Sequence, residues 1–385
     1  HLLRATYDSD RKKTDGAENR NPQPPRKRRR RGARKLSRTF STEATVNRAS
    51  LVSLLNWEDY DHGDMKLITI PTLVFRALAS AVTDDTFKTL LVEKHLDLVR
   101  SLIDDLDGRF SRFVSGDMDG PQGKLNDMQL IHLLTIMENA THEDSNEPLF
   151  IASLGTESID KLLKIMKGIL RSHTRENDGA DESRLVFGVL RMLVNLTNNQ
   201  DTGCKLANPL LPLVFRILTR NIANGKPRSS SAFDAVTLIL GIMINCCEQN
   251  KESCEILVAC KCKGYTTATD FVVELFERNV EDWAANRASC KGTEQLEKDK
   301  QALALESQAL ASYAAMVLGF WARSSECNMS TIRKALNSPD FGKLTLVLKD
   351  FIVLQCRANM LTEESLKSLV TIVDFLKKAD IQAGK

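Results

Sequence analysis

The apolar positions of this chain recur at helical spacing, and in places they leave no polar face at all. The segment Leu185 to Leu196 reads LVFGVLRMLVNL, interrupted only by Gly188, Arg191 and Asn195. A helix that is apolar all round has to be covered on several sides, which predicts a place inside a stack of other helices. A polar knot follows from Thr197 to Gly203, then a short helical turn. Asn208-Pro209 comes next, a capping residue and first-turn proline that predict the start of another amphipathic helix.

That order recurs: buried helix, asparagine, polar turn, short helix, partner helix. LNDMQLIHLLTIMEN (125–139) ends in Asn139, and Ser158 to Arg171 is the amphipathic helix that follows it. The segment beginning at Ala232, AFDAVTLILGIMINCCEQNKESCEIL, puts Asn245 at the end of its apolar helix, with a partner helix at 267–278. In ALASYAAMVLGFWARSSECNMSTIRKAL, from Ala309, Trp321-Ala322 stands in the corresponding place. Two helices, Asp340 to Gln355 and Thr362 to Lys378, come last. Asn139, Asn195 and Asn245 are 56 and 50 residues apart. Those gaps exceed the roughly 40–47 of regular armadillo or HEAT repeats, so the copies are loose, with inserted loops. A single copy cannot bury its apolar face alone, and stacking the copies builds one core. No convincing strand alternation is present. The expected fold is all-α, an armadillo/HEAT-like helical-repeat solenoid.

Upstream, apolar positions predict helices carrying Val46, Leu51, Leu54 and Leu55, then over 71–82 and over 84–106. The glycine-rich stretch 107–124 predicts a loop separating an N-terminal helical lobe (44–124) from the repeat lobe (125–385). The polar stretch Ala284 to Lys300 predicts an insertion. Residues 1–43 lack periodic apolar positions and are predicted to be a disordered basic tail.

Charge sharpens this division. The chain of 385 residues has a net charge of +3, but residues 1–45 carry 14 Lys/Arg against 5 Asp/Glu. The body is therefore acidic, a poor footing for binding duplex DNA. The tail concentrates Arg26, Lys27, Arg28, Arg29, Arg30, Arg31, Arg34 and Lys35, a pattern for nuclear import or a phosphate-contacting arm. No apolar run reaches the roughly 18–20 residues of a membrane span, the nearest being Leu238 to Cys247, so no membrane partner is expected. The first residue is His1, which fits a fragment of a longer protein.

Catalytic and metal chemistry find little support. His1, His62, His95, His132, His142 and His173 never pair at i, i+4 and never approach cysteines at metal spacing, and none lies in the second half. The nine cysteines are odd in number and without paired spacing, as in a reducing compartment. Cys246, Cys247, Cys254, Cys260 and Cys262 lack the C-x2-C knuckle of zinc sites, and packed core thiols are the stronger reading. Asp117-Met118-Asp119-Gly120 has Met128 where a calcium loop needs its bidentate Glu. No phosphate-binding glycine motif occurs. No cofactor and no catalytic residue is expected.

Two surfaces are candidates for partner binding. Lys161, Lys164, Lys167 and Arg171 form a basic stripe opposite Leu162, Leu163, Ile165, Met166 and Leu170, read either as a solvated outer face or as a docking strip for an acidic surface. On the helix 301–321, Leu305, Ala309, Ser312 and Tyr313 fall along one side, flanked by Glu306; such a stripe is either core or, where partly exposed, a protein contact.

LRMLVNLTNNQDTGCKLA (190–207) resembles the armadillo-like segment of the Wapl (wings apart-like) proteins, the cohesin-release factors. So, more specifically, does ASYAAMVLGFWARSSECNMSTIRKALNSPDFGKLTLVLKDF (311–351), and the similarity covers residues 45–379, the family's C-terminal domain. The shortness of the 284–300 stretch gives the chain a fungal style. The resemblance implies a non-enzymatic, nuclear, chromatin-associated scaffold that binds cohesin and promotes its release, so regulating sister-chromatid cohesion. Its partners would be the SMC ATPase head region, the kleisin and HEAT-repeat accessory subunits. The Phe-Gly-Phe peptides by which some members engage accessory subunits do not occur here. The alternative is a generic armadillo-type adaptor or transport receptor holding cargo peptides in a groove, although Trp57, Trp283 and Trp321 are not in register for that. An enzyme is a third class.

Overall fold

The computed structural model describes residues 78, 96–115, 121–141, 154–174, 180–198, 201–262, 264–288, 294–336, 338 and 340–383. The chain divides into two units, residues 6–68 and the rest, and every described residue lies in the second. The basic tail, the helices expected before residue 84 apart from Leu78, and the Asp117–Gly120 stretch lie outside the described residues.

The first described helix, α1 (Leu96–Ser115), buries Val99, Leu102, Ile103, Leu106 and Phe110 at spacings of three and four. The stripe steps over Gly108, so the helix continues through the segment expected to be a loop. The next, α2 (Pro121–Ala140), opens on a first-turn proline. What separates the two helices is thus far shorter than the sequence suggested, and α1 packs on α2 and on α3 (Thr156–His173).

From there the elements come in triplets of long helix, short helix and partner helix. The first is α4 (Ala180–Thr197), α5 (Asp201–Ala207) and α6 (Leu211–Asn221), with a 3-10 turn at Asn208–Leu210 before α6. A two-stranded hairpin, β1 (Ile222–Ala223) and β2 (Lys226–Pro227), leads out of it. Its turn residues Asn224 (φ 51°) and Gly225 (φ 74°) are both left-handed, as the tight hairpin requires. The second triplet is α7 (Ser230–Gln249), α8 (Lys251–Val258) and α9 (Ala268–Ala288). The third is α10 (Glu294–Ser324), α11 (Glu326–Ala335) and α12 (Gly342–Arg357), and α13 (Glu363–Ala383) follows.

The long helices lie rung against rung: α2 on α4, α4 on α7, α7 on α10, and α13 on α10. The partner helices form a second row, in which α1 meets α3 and α3 meets α6. Phe215 of α6 meets Phe271 of α9 edge to face at 5.8 Å. Lys343 of α12 pairs with Glu277 of α9 at 3.7 Å. A single cluster of buried side chains runs from Val99 to Ala379. This is the all-α helical-repeat solenoid the apolar pattern predicted.

The expected insertion at 284–300 is largely helical, since α9 continues to Ala288 and α10 starts at Glu294. Those extensions are polar, which hid their helicity from a reading based on apolar periodicity. Two helical stretches, Ser230–Gln249 and Lys300–Ser324, are long and apolar enough to pass as membrane spans. Their most apolar windows are 61% and 67% buried, as core rungs should be.

Candidate functional site: the rung ladder and the faces beside it

The polar residues at the ends of the rungs bond each rung to the one before it. Asn195 of α4 donates from Nδ2 to the Glu138 carbonyl of α2 (3.1 Å) and to Thr141 Oγ1 (3.5 Å). Asn245 of α7 repeats this, donating to the Val194 carbonyl and to Thr197 Oγ1, both at 3.3 Å. Each acceptor pair is the residue before the previous asparagine and the hydroxyl two after it. At the third step Trp321 of α10 donates its indole Nε1–H to Cys247 Sγ at 3.3 Å, Cys247 being two residues after Asn245. Within one repeat the short helix sits tight against its own rung: a Cβ at Gly203 of α5 would fall 1.6 Å from the Leu196 carbonyl oxygen of α4.

The short helices form a second tier of bonds. Asn250 caps α8 by accepting from Ser253 N, and donates to Asp201 of α5 at 2.7 Å. Ser253 Oγ reaches Asn208 at 2.6 Å. Lys205, and after it Asn250, hold the Asp201 carboxyl below its ordinary range. These amides and hydroxyls all serve the fold. An armadillo groove that grips cargo backbone through its asparagines needs such amides free, and here the Nδ2 groups of Asn195 and Asn245 point into the array.

The basic stripe of α3 faces α1. Lys161 pairs with Asp104 (2.9 Å) and with Glu157 (2.8 Å), and Lys164 with Asp107 (3.0 Å). Glu157 first, then Asp104, raise the Lys161 ammonium well above its ordinary value. Lys167 and Arg171 make no ion pair with any described residue. The α10 stripe divides along its length. Leu305 is 50% exposed and its neighbour Leu303 53%, Glu306 is exposed, and Ala309 is half-buried. Ser312 and Tyr313, expected on the same side, belong to the core. Ser312 Oγ bonds the Gln308 carbonyl, and the Tyr313 ring stands edge-on to Phe351. A partner can touch the first half of this stripe, while the second half is sealed. Although the residue as a whole is exposed, partial desolvation of its carboxyl, and after it the charge of Asp234 of α7, raise Glu306 above its ordinary value.

Residues 24–253, more than half of the chain, match a family described as wings apart-like protein regulation of heterochromatin. The chain belongs to the Wapl family. The match begins at the basic tail and ends at Ser253, so it takes in the α2, α4 and α7 rungs. It does not extend to α10–α12, where the longer of the two Wapl-like motifs lies. No curated protein matches the chain. Wapl-like proteins regulate cohesin, and theirs is a non-catalytic, regulatory family.

Within this Wapl-family array the cysteines reinforce the ladder. Cys204 Sγ contacts the Thr197 and Asn245 carbonyls, and Cys254 Sγ the Cys247 carbonyl. Burial pushes the Cys247 thiol well up, while Cys246 is pushed up first by its contact with Cys204. Such thiols stay protonated and unreactive. The sequence reading found the asparagines and overlooked Thr141, Thr197 and Cys247. Their offset of two from Asn139, Asn195 and Asn245 was visible, but nothing in a single sequence tells a bonded hydroxyl from a solvated one.

Proposed function

We propose that this chain is a non-enzymatic binding scaffold that engages cohesin and promotes its release from chromatin, acting in the nucleus. Its partners are the SMC head region, the kleisin and HEAT-repeat accessory subunits. The observation that carries the reading is the Wapl match over residues 24–253 on a stacked-helix array that leaves an apolar strip open, Leu303 and Leu305 beside Glu306. On that strip a partner gains by burying leucine side chains, each worth about 1.5–3 kcal/mol when fully covered. Lys167 and Arg171 provide a weaker electrostatic contact, Lys161 and Lys164 being paired with α1. A scaffold of this kind opens the ring only by binding its open state more tightly than its closed one. The basic tail, Arg26 to Lys35, serves as an import signal or a DNA-contacting arm.

The test is capture of cohesin subunits by the whole chain. Leu303→Glu with Leu305→Glu is expected to lower capture at least tenfold, and Lys167→Glu with Arg171→Glu about twofold to threefold. If neither pair changes capture, the assignment of both faces fails. For the arm, DNA affinity that is insensitive to salt and unchanged on removing residues 1–40 would exclude a phosphate-contacting role.

A further inference from the structure

A cleft of about 200 Å3 opens between the first two rungs, α2 and α4, away from the α10 strip. Its floor is apolar: Ile131 and Leu134 from α2, with Phe187 from α4. Gly188 keeps the floor open, because a Cβ there would lie 3.4 Å from Leu134 Cβ and any longer side chain would grow into the cleft. Arg184 and Arg191, one above the other on α4 at a spacing of seven, form the polar rim. Arg191 Nε is bonded to Glu138 at 2.7 Å, which holds that guanidinium in place. Arg184 is exposed and makes no ion pair with any described residue. The rim of two arginines and one glutamate therefore keeps a net positive charge above an apolar floor.

We infer that this cleft is a docking site for a short acidic peptide segment of a partner protein, seating one large apolar side chain against Phe187 and Leu134 while a neighbouring Asp or Glu is held by Arg184. The volume sets the scale of the occupant. It falls below the roughly 300 Å3 at which drug-sized ligand pockets begin, and suits a single side chain. A guanidinium fork binds a carboxylate through two parallel N–H donors, giving direction as well as charge. The apolar floor favours a peptide over a nucleic acid, whose phosphates would leave Phe187 and Leu134 without a partner. The site is independent of the cohesin reading, and its test uses no cohesin subunit.

Panning the full chain against phage-displayed random heptapeptides should enrich sequences that set one large apolar side chain beside Asp or Glu. A fluorescent peptide of the enriched consensus should then lose about tenfold in affinity to the Arg184→Glu chain, the size of one charge-assisted contact. It should bind negligibly to Gly188→Leu, in which the cleft is filled. Thermal unfolding of both variants checks the fold; should Gly188→Leu be destabilised, the exposed Arg184→Glu site decides alone. The inference is overturned if Arg184→Glu yields the same enriched peptides at the same affinity, or if the enriched peptides are basic. It is equally overturned if Arg184→Glu weakens binding of a short DNA duplex and leaves the peptide unaffected.

Discussion

At the scale of single residues, the ladder asparagines should matter more than their modest burial suggests. Asn245→Ala removes the donor to Val194 O and Thr197 Oγ1 and leaves both acceptors without it. The Thr197 hydroxyl keeps its bonds to the Leu193 and Val194 carbonyls, so the loss is that of ordinary hydrogen bonds, and chemical denaturation of this variant should show about 0.5–1.5 kcal/mol. The double variant with Thr197→Val should lose less than the sum of the two single losses, because both changes break one contact. The glycines give the opposite pair of outcomes. Gly203→Ala drives a methyl into the Leu196 carbonyl and should cost at least about 2 kcal/mol, whereas Gly108→Ala, with nothing within 4 Å, should gain about 0.5–1 kcal/mol. The thiols supply a pH test. Burial pushes Cys260 and Cys262 up to about 11. The folded state therefore holds these protons more tightly than the unfolded state does. Their contribution is complete below pH 9 and is lost as pH rises toward 11. Alkylation at neutral pH should accordingly reach the exposed Cys327 and Cys356 first, with Cys204, Cys246, Cys247 and Cys254 reacting only on unfolding, as read by mass spectrometry.

For whole elements, the seam between α1 and α3 shows which force dominates. Its ion pairs, Lys161–Asp104 and Lys164–Asp107, are solvent-facing and therefore weak, while Phe110 lies buried with its ring against Gly168. Lys164→Ala should thus change the unfolding midpoint little, and Phe110→Ala should cost about 3–5 kcal/mol. The same contrast explains what the sequence revealed. The apolar rungs announced themselves because Leu185 to Leu196 has no solvated side to offer. The helicity of the polar continuations of α9 and α10 could not be read from the sequence, because it has no apolar period behind it. The loop expected from residue 107 is helix as far as Ser115, because Leu106 and Phe110 carry the buried stripe past Gly108. Of the candidate faces, the α10 stripe was visible as a pattern, but the point where it passes under the core, between Ala309 and Ser312, depends on neighbours far away in sequence. The Arg184–Arg191 cleft needs two helices at once, and no linear pattern could show it.

Taken whole, the molecule is a succession of rungs that are bonded as well as packed, so neighbouring copies should melt together rather than one by one. Glu306 lies where such an array meets a partner. Its carboxyl is raised by burial and by Asp234, so ionising it opposes folding, and that cost appears as pH rises through its elevated pKa. Glu306→Gln should leave the chain slightly more stable at neutral pH in a thermal scan, while any partner cation that answers Glu306 is lost from the cohesin capture assay. The contact between Trp321 and Cys247 provides a readout of its own. A sulfhydryl held against an indole drains its excited state, so Trp321 should be dim while α7 and α10 touch. Its emission should brighten when those two rungs part. The protein thus contains a lamp wired to one joint, and in a chain where Trp57 and Trp283 are changed to Phe, that lamp would report whether a bound partner pries this joint open.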